Sequence, residues 1–256
     1  MTYRRTYTLV TFFSFTLALL GTSAPLYADE PLRVLFIGNS YTYGHKIPDL
    51  VVRIARASKV REISQRSVTG GGMTLEAHWK DGRAVERIKN GKWDVVILQE
   101  QSMRPVVDPS GMNKYGRMLD AEIGKADAKT MFFLTWARQK RPEMQDKLNE
   151  SYGSLAEELE ASVAPVGQAW RAALAARPEL KLHARDGSHA SPHGAYLAAC
   201  VFYSALTGKS AEGSPVLIQG VNKSDVAFLQ KTAWKAVETW SQRKSSRDAL
   251  HPKARP

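Results

Sequence analysis

Four polar clusters in this chain hold the side chains that acyl-transfer chemistry needs. Ser40 lies in Gly38-Asn39-Ser40-Tyr41-Thr42, a glycine turn in Gly70-Gly71-Gly72-Met73-Thr74, and two amides in Gln99-Glu100-Gln101-Ser102. The fourth, Asp186-Gly187-Ser188-His189, sets a carboxylate three residues ahead of an imidazole. A serine hydroxyl does not attack an ester unaided. It needs a base within hydrogen-bond reach, a carboxylate that orients the base, and donors for the developing oxyanion. Ser40 is the candidate nucleophile and His189 the base. Asp186 stands at an offset that lets it accept from Nδ1 and fix the tautomer. His193, on the first turn of a helix, is expected to be solvated, and neither His45 nor His78 has a carboxylate three residues ahead of it. Asn39, Tyr41 and His78 are expected to contact substrate; Asn39 could instead shape the serine turn, and His78, beside Trp79, could be packing.

These clusters require a scaffold that brings them together. The apolar run 32–37 stops at Gly38, and 62–68, 93–98, 129–135 and 163–166 are further β-prone stretches. Between and after them the apolar spacing suits helices over 47–58, 75–90, 115–126, 143–162, 167–176, 192–206 and 224–240. Residues 104–111, with two prolines, read as a loop, and 180–190 as irregular. Strands alternating with helices describe an α/β protein, a three-layer α/β/α sandwich around a five-stranded parallel sheet. Parallel strands deliver their ends to one rim, so the polar clusters converge.

The 256 residues, 43% hydrophobic, suffice for one substantial core. Arg4 and Arg5, an apolar run to Leu20 and the small residues up to Ala28 have the order of a secretory signal peptide over 1–28. The mature chain is therefore expected to be secreted or periplasmic, with no stable membrane span after processing. A hydrolytic domain would cover 29–240. The basic stretch 241–256, where Arg243, Lys244, Arg247, Lys253 and Arg255 face only Asp248, reads as a disordered tail. Export and the lack of a binding motif argue against nucleic acid. Cys200 is the only cysteine, which excludes an intrachain disulfide and a thiolate cluster, and it reads as a small buried hydrophobe. Spacings for a P-loop, a dinucleotide fold, a zinc protease or the Gly-x-Ser-x-Gly elbow are absent.

Taken together, Gly38-Asn39-Ser40, Gly72-Met73-Thr74 and Asp186-x-x-His189 resemble three of the four blocks of the SGNH (GDSL-like) hydrolase superfamily. The longer stretches Gly-Gly-Met-Thr-Leu-Glu-Ala-His-Trp, Leu-Gln-Glu-Gln-Ser and Asp-Gly-Ser-His-Ala-Ser-Pro-His-Gly-Ala-Tyr-Leu-Ala-Ala are similar to an uncharacterised secreted bacterial subgroup. The resemblance spans 32–206 and implies a flavodoxin-like fold. It implies Ser40 as nucleophile and first oxyanion donor through its N–H, Gly72 N–H as second donor, and Asp186 and His189 as the rest of a triad. The third block departs, because the superfamily has Gly-x-Asn where this chain has Gln99-Glu100-Gln101. A glutamine amide is the same donor on a longer stem, as in some SGNH carbohydrate esterases. Gln101, further out, is the preferred third donor and Gln99 the alternative. The resemblance thus implies a secreted serine esterase without cofactor or metal, acting on a small acyl ester or an acylated glycan, with O-acetyl groups favoured. A lipid or thioester acyl hydrolase and a non-catalytic glycan-binding protein are the alternatives.

Overall fold

Strand β1 (Leu32–Gly38) sends alternate side chains into two separate cores. Val34 and Phe36 enter one, Leu35 and Ile37 the other, and all four are fully buried. That two-residue alternation with both faces apolar is what a central strand of a covered sheet requires. The computed structural model describes residues 1, 2 and 30–250, the last seven as backbone only. Apart from its first two residues, the expected leader over 1–28 lies outside the described residues, and so does 251–256 of the tail.

Strands β2 (Ile63–Thr69), β3 (Val95–Leu98), β4 (Lys129–Phe133) and β5 (Ser162–Ala164) complete an all-parallel sheet in the order β2-β1-β3-β4-β5. Helices α2 (Ile47–Ser58), α8 (Val166–Ala176), α9 (Pro192–Thr207) and α10 (Lys223–Leu250) supply the core on one face. On the other face stand α3 (Leu75–Asp81), α4 (Arg83–Asn90), α6 (Pro109–Lys125) and α7 (Met144–Glu158). The short helices α1 (Ser40–Tyr43) and α5 (Arg104–Val107) follow β1 and β3. The winding reverses between β1 and β3, and the crevice at that switch point is where such sheets hold ligands. Helix α9 buries every residue from Gly194 to Ser204, Cys200 among them, because α2, α8 and α10 enclose it against the sheet. Burial pushes the Cys200 thiol pKa well up, in keeping with an inert packing role.

Three expectations need correction. The helix expected over 75–90 is two, broken where Gly82 takes φ +82°. The loop expected over 104–111 is largely helical, because Pro105 sits in the first turn of α5 and Pro109 opens α6 behind the Asp108 cap, positions where proline's missing N–H costs nothing. The tail expected to be disordered from 241 continues α10 to Leu250. Among the described residues no helix is long and apolar enough to cross a membrane.

Candidate active site

Ser40 is placed by the abrupt end of β1. Asn39 caps α1, its Oδ1 accepting from Tyr41 N–H at 3.0 Å, so Ser40 becomes the first helical residue and faces the rim. Gly38 is required just before it: a Cβ there would lie 2.4 Å from both Gln99 Oε1 and Thr42 Oγ1. Ser40 Oγ is 2.8 Å from His189 Nε2, and His189 Nδ1 is 2.5 Å from Asp186 Oδ2. Nδ1–H donates to the carboxylate in this arrangement, leaving Nε2 as the acceptor for the serine hydroxyl. The three residues expected to form a triad are therefore in one hydrogen-bonded line.

Asp186 also organises its own loop. Its Oδ1 accepts from Ser188 N–H at 2.9 Å and His189 N–H at 3.0 Å, and Gly187 takes φ +66° between them. The His189 hydrogen bond, followed by the Ser188 amide, holds the Asp186 carboxyl down to about 2. Beneath the loop, Tyr41, Trp136 and Trp170 form a stack with ring centroids 4.5 and 4.1 Å apart. Trp136 Nε1–H donates to Ser188 O, and Gln139 N–H donates to Gly187 O. Tyr41 meets His189 edge to face at 5.5 Å and shares a hydrogen bond with Ser188 Oγ. Contacts of this kind contribute about 1 kcal/mol each. Tyr41, expected to touch substrate, is buried and supports the base instead.

The glycine turn after β2 is tied to β1 at several points. Gly70 N–H donates to Gly38 O, Met73 N–H to Gly70 O, and Asn39 Nδ2–H to Met73 O at 3.0 Å. Asn39 is buried, so it shapes the serine turn and does not contact substrate. His78 is corrected in the same way: it is fully buried, and its Nε2 lies 2.8 Å from Gly38 O. Burial lowers its pKa, and the neutral ring donates to that carbonyl. Gly72 takes φ +67° with open space around its Cα. Neither Ser40 N–H nor Gly72 N–H donates to another group among the described residues.

The two glutamines separate cleanly. Gln99 is fully buried; its Oε1 accepts from Asn39 N–H at 2.7 Å and Thr42 Oγ1–H at 2.9 Å, and its Nε2–H donates to Glu100 O. With no exposed surface it presents no donor at the open rim, so the geometry favours Gln101 over this alternative. Gln101 is half-buried and uses only Oε1, which accepts from Met103 and Arg104 N–H, so its amide NH2 is unengaged among the described residues. His193, expected to be solvated, instead pairs with the buried Asp225 at 2.9 Å and pins α9 to α10.

Sequence reasoning missed Glu100. It is fully buried, and its carboxyl Oε1 accepts from Leu75 N–H at 3.2 Å and Gln101 N–H at 2.6 Å. Desolvation pushes its pKa up to about 7 against the pull of those two donors and of Arg104. The available signal was an acid directly behind an apolar strand, where burial follows from the pleat. Among the described residues no group of three His, Cys, Asp or Glu side chains could hold a metal ion.

No protein-family model and no curated protein matches the chain. Solved structures do. A candidate SGNH hydrolase from Slackia heliotrinireducens is 26% identical, with TM-score 0.61, over 69% of this chain and 99% of that one. A DUF4886 family protein from Bacteroides uniformis is 19% identical, with TM-score 0.66, over 82% and 95%. A variant of the acetyl-xylooligosaccharide esterase Axe2 from Geobacillus Stearmophilus is 17% identical, with TM-score 0.55, over 68% and 93%. The five-stranded parallel sheet between two helical layers is the fold of the SGNH hydrolases.

Proposed function

We propose that this SGNH-fold chain is a serine esterase that removes small acyl groups through an acyl-enzyme. The observation that carries the reading is the hydrogen-bonded line from Ser40 Oγ through His189 to Asp186. Fold alone does not assign chemistry, whereas a nucleophile, base and orienting carboxylate in sequence do. As Ser40 Oγ bonds to the acyl carbon, His189 Nε2 takes its proton. The resulting oxyanion would be held by Ser40 N–H, Gly72 N–H and the Gln101 NH2, three donors at this rim that have no partner among the described residues. Collapse breaks the ester bond, and the leaving alkoxide takes the proton from His189. Water, deprotonated by the same nitrogen, then attacks the acyl carbon; the bond to Ser40 Oγ breaks, Ser40 takes the proton back from His189, and the acid leaves.

The acyl group is proposed to be O-acetyl on carbohydrate. The side chains of His189 and Asp186 are 47% and 49% exposed, so the base stands at an open rim that a polymer can approach. Acetyl-xylooligosaccharide and acetyl xylan esterases among the structural neighbours favour the same substrate class. Export through the leader over 1–28 is part of the proposal.

Purified protein assayed on a short-chain aryl ester beside Ser40→Ala tests the mechanism. Turnover by the wild type and its loss in the variant are expected; equal rates in the two would sink the serine mechanism. A panel of acetylated xylooligosaccharides against long-chain acyl esters tests the substrate, with preference for the long chains pointing to a lipid hydrolase. Loss of residues 1–28 from protein recovered outside the cytoplasm tests export.

A further inference from the structure

The glycine turn and the Gln101 turn leave different strands, β2 and β3, yet the proposed chemistry needs their donors at one fixed separation. We propose that Glu100 is the positioning residue that sets it, a single carboxyl oxygen clamping both turns from inside the protein. The proposal rests on the esterase reading above.

The geometry is direct. Leu75 follows the glycine turn as the first residue of α3, and its N–H is one of the orphan donors at a helix start. Gln101 N–H belongs to the residue whose NH2 is the proposed third donor. Both donate to Glu100 Oε1, at 3.2 and 2.6 Å. Glu100 is itself fixed from every side: its N–H donates to the buried Tyr152 hydroxyl at 3.2 Å, and its carbonyl accepts from Gln99 Nε2. Through Gln99 the same backbone reaches Asn39 N–H and hence the Ser40 turn. A carboxyl is therefore buried at the convergence of three turns, and its Oε2 has no partner among the described residues. Keeping a carboxyl there is costly for stability, whereas an apolar residue of similar size would fill the space without that cost. What the carboxyl supplies is an acceptor for two backbone donors that otherwise have none. An outer brace runs parallel to it, since Arg104 pairs with Glu76 of α3 at 2.9 Å, so the clamp is the inner of two ties between the turns.

Glu100→Gln retains an oxygen that can accept both N–H groups, and Glu100→Leu does not. Glu100→Leu is expected to lower kcat on the aryl ester by about 100-fold with KM within about twofold, as a misplaced oxyanion donor does. Glu100→Gln should recover most of kcat. A merely structural role would lower the two variants together in proportion to their melting temperatures, and unchanged kcat in Glu100→Leu or equal losses in both variants would overturn the clamp. Amide hydrogen exchange decides it without turnover. Leu75 and Gln101 N–H should be protected in wild type and Glu100→Gln and exchange freely in Glu100→Leu. If the wild type hydrolyses no ester, the esterase reading fails and exchange alone judges the clamp. If Glu100→Leu does not fold, wild-type Leu75 and Gln101 amides exchanging as fast as the exposed Gly71 amide would overturn it.

Discussion

Gln99 Oε1 accepts the backbone N–H of Asn39 at 2.7 Å, so the turn that carries the nucleophile hangs on a side chain from the neighbouring strand's end. The same oxygen takes the Thr42 hydroxyl, and Gly38 is a glycine because that oxygen comes so close. The serine turn is thereby locked across the β1/β3 switch point.

Replacing Gln99 with Met leaves the Asn39 N–H and Thr42 hydroxyl buried without an acceptor. The expected loss is about 2–3 kcal/mol of stability, read as a lower urea midpoint at unchanged slope. An unchanged midpoint would show that the turn holds itself.

Gln101→Glu keeps the oxygen that caps Met103 and Arg104 and removes the unengaged NH2. A fall in kcat of about 100-fold or more is expected, with little change in melting temperature. Wild-type kcat in this variant would remove Gln101 from the oxyanion site.

Asp186→Asn retains a carbonyl for the Ser188 and His189 amides but turns an NH2 toward His189 Nδ1, forcing the wrong tautomer. We expect kcat to drop about 10^3- to 10^4-fold in a folded protein. The wild-type carboxyl is held down to about 2, so its contribution to stability is complete above its ordinary range and is lost as pH falls toward that value. Because the side chain is half exposed, water screens the effect to below about 1 kcal/mol. Circular dichroism between pH 2 and 5 on both proteins checks the sign.

Glu100 has the opposite dependence. Its pKa rises from 4.5 unfolded to about 7 folded, so between those values the native state keeps a proton that the unfolded chain has released. Wild type should therefore lose stability relative to Glu100→Gln as pH rises from about 4.5 to about 7, by at most about 3 kcal/mol, and then level off. Arg104 and Asp108, the charges that act on it, are unchanged in the comparison. Parallel stability curves across that window would contradict the buried ionisation.

The sheet was legible in the sequence because each strand is an apolar run bounded by polar turns, as 32–38 and 93–98 illustrate. Helix starts at Pro105 and Pro109 were not, since proline breaks a helix interior but favours its first turn, and only tertiary placement tells the two apart. The nucleophile, base and carboxylate stood out by residue type and offset. Which neighbours face substrate did not: Asn39, Tyr41, His78 and Gln99 have the chemistry of contact residues, and each turns inward to satisfy a backbone or loop group. That choice depends on where other turns leave unpaired donors and acceptors, which spacing along one chain does not record. For Asn39 and His78 the inward role was visible in the sequence as the alternative, Asn39 as an amide in the serine turn and His78 beside Trp79.

The stack under the His189 loop gives the protein an optical gauge of its own site. Trp136 and Trp170 lie face to face with planes 5° apart, and Trp136 also holds Ser188 beside the base. Two parallel indoles at that separation couple their transitions, so the near-ultraviolet circular dichroism of the unlabelled protein should carry a paired-band signal. A substrate or inhibitor that shifts the loop then changes that signal, reporting occupancy of the rim before any bond is broken.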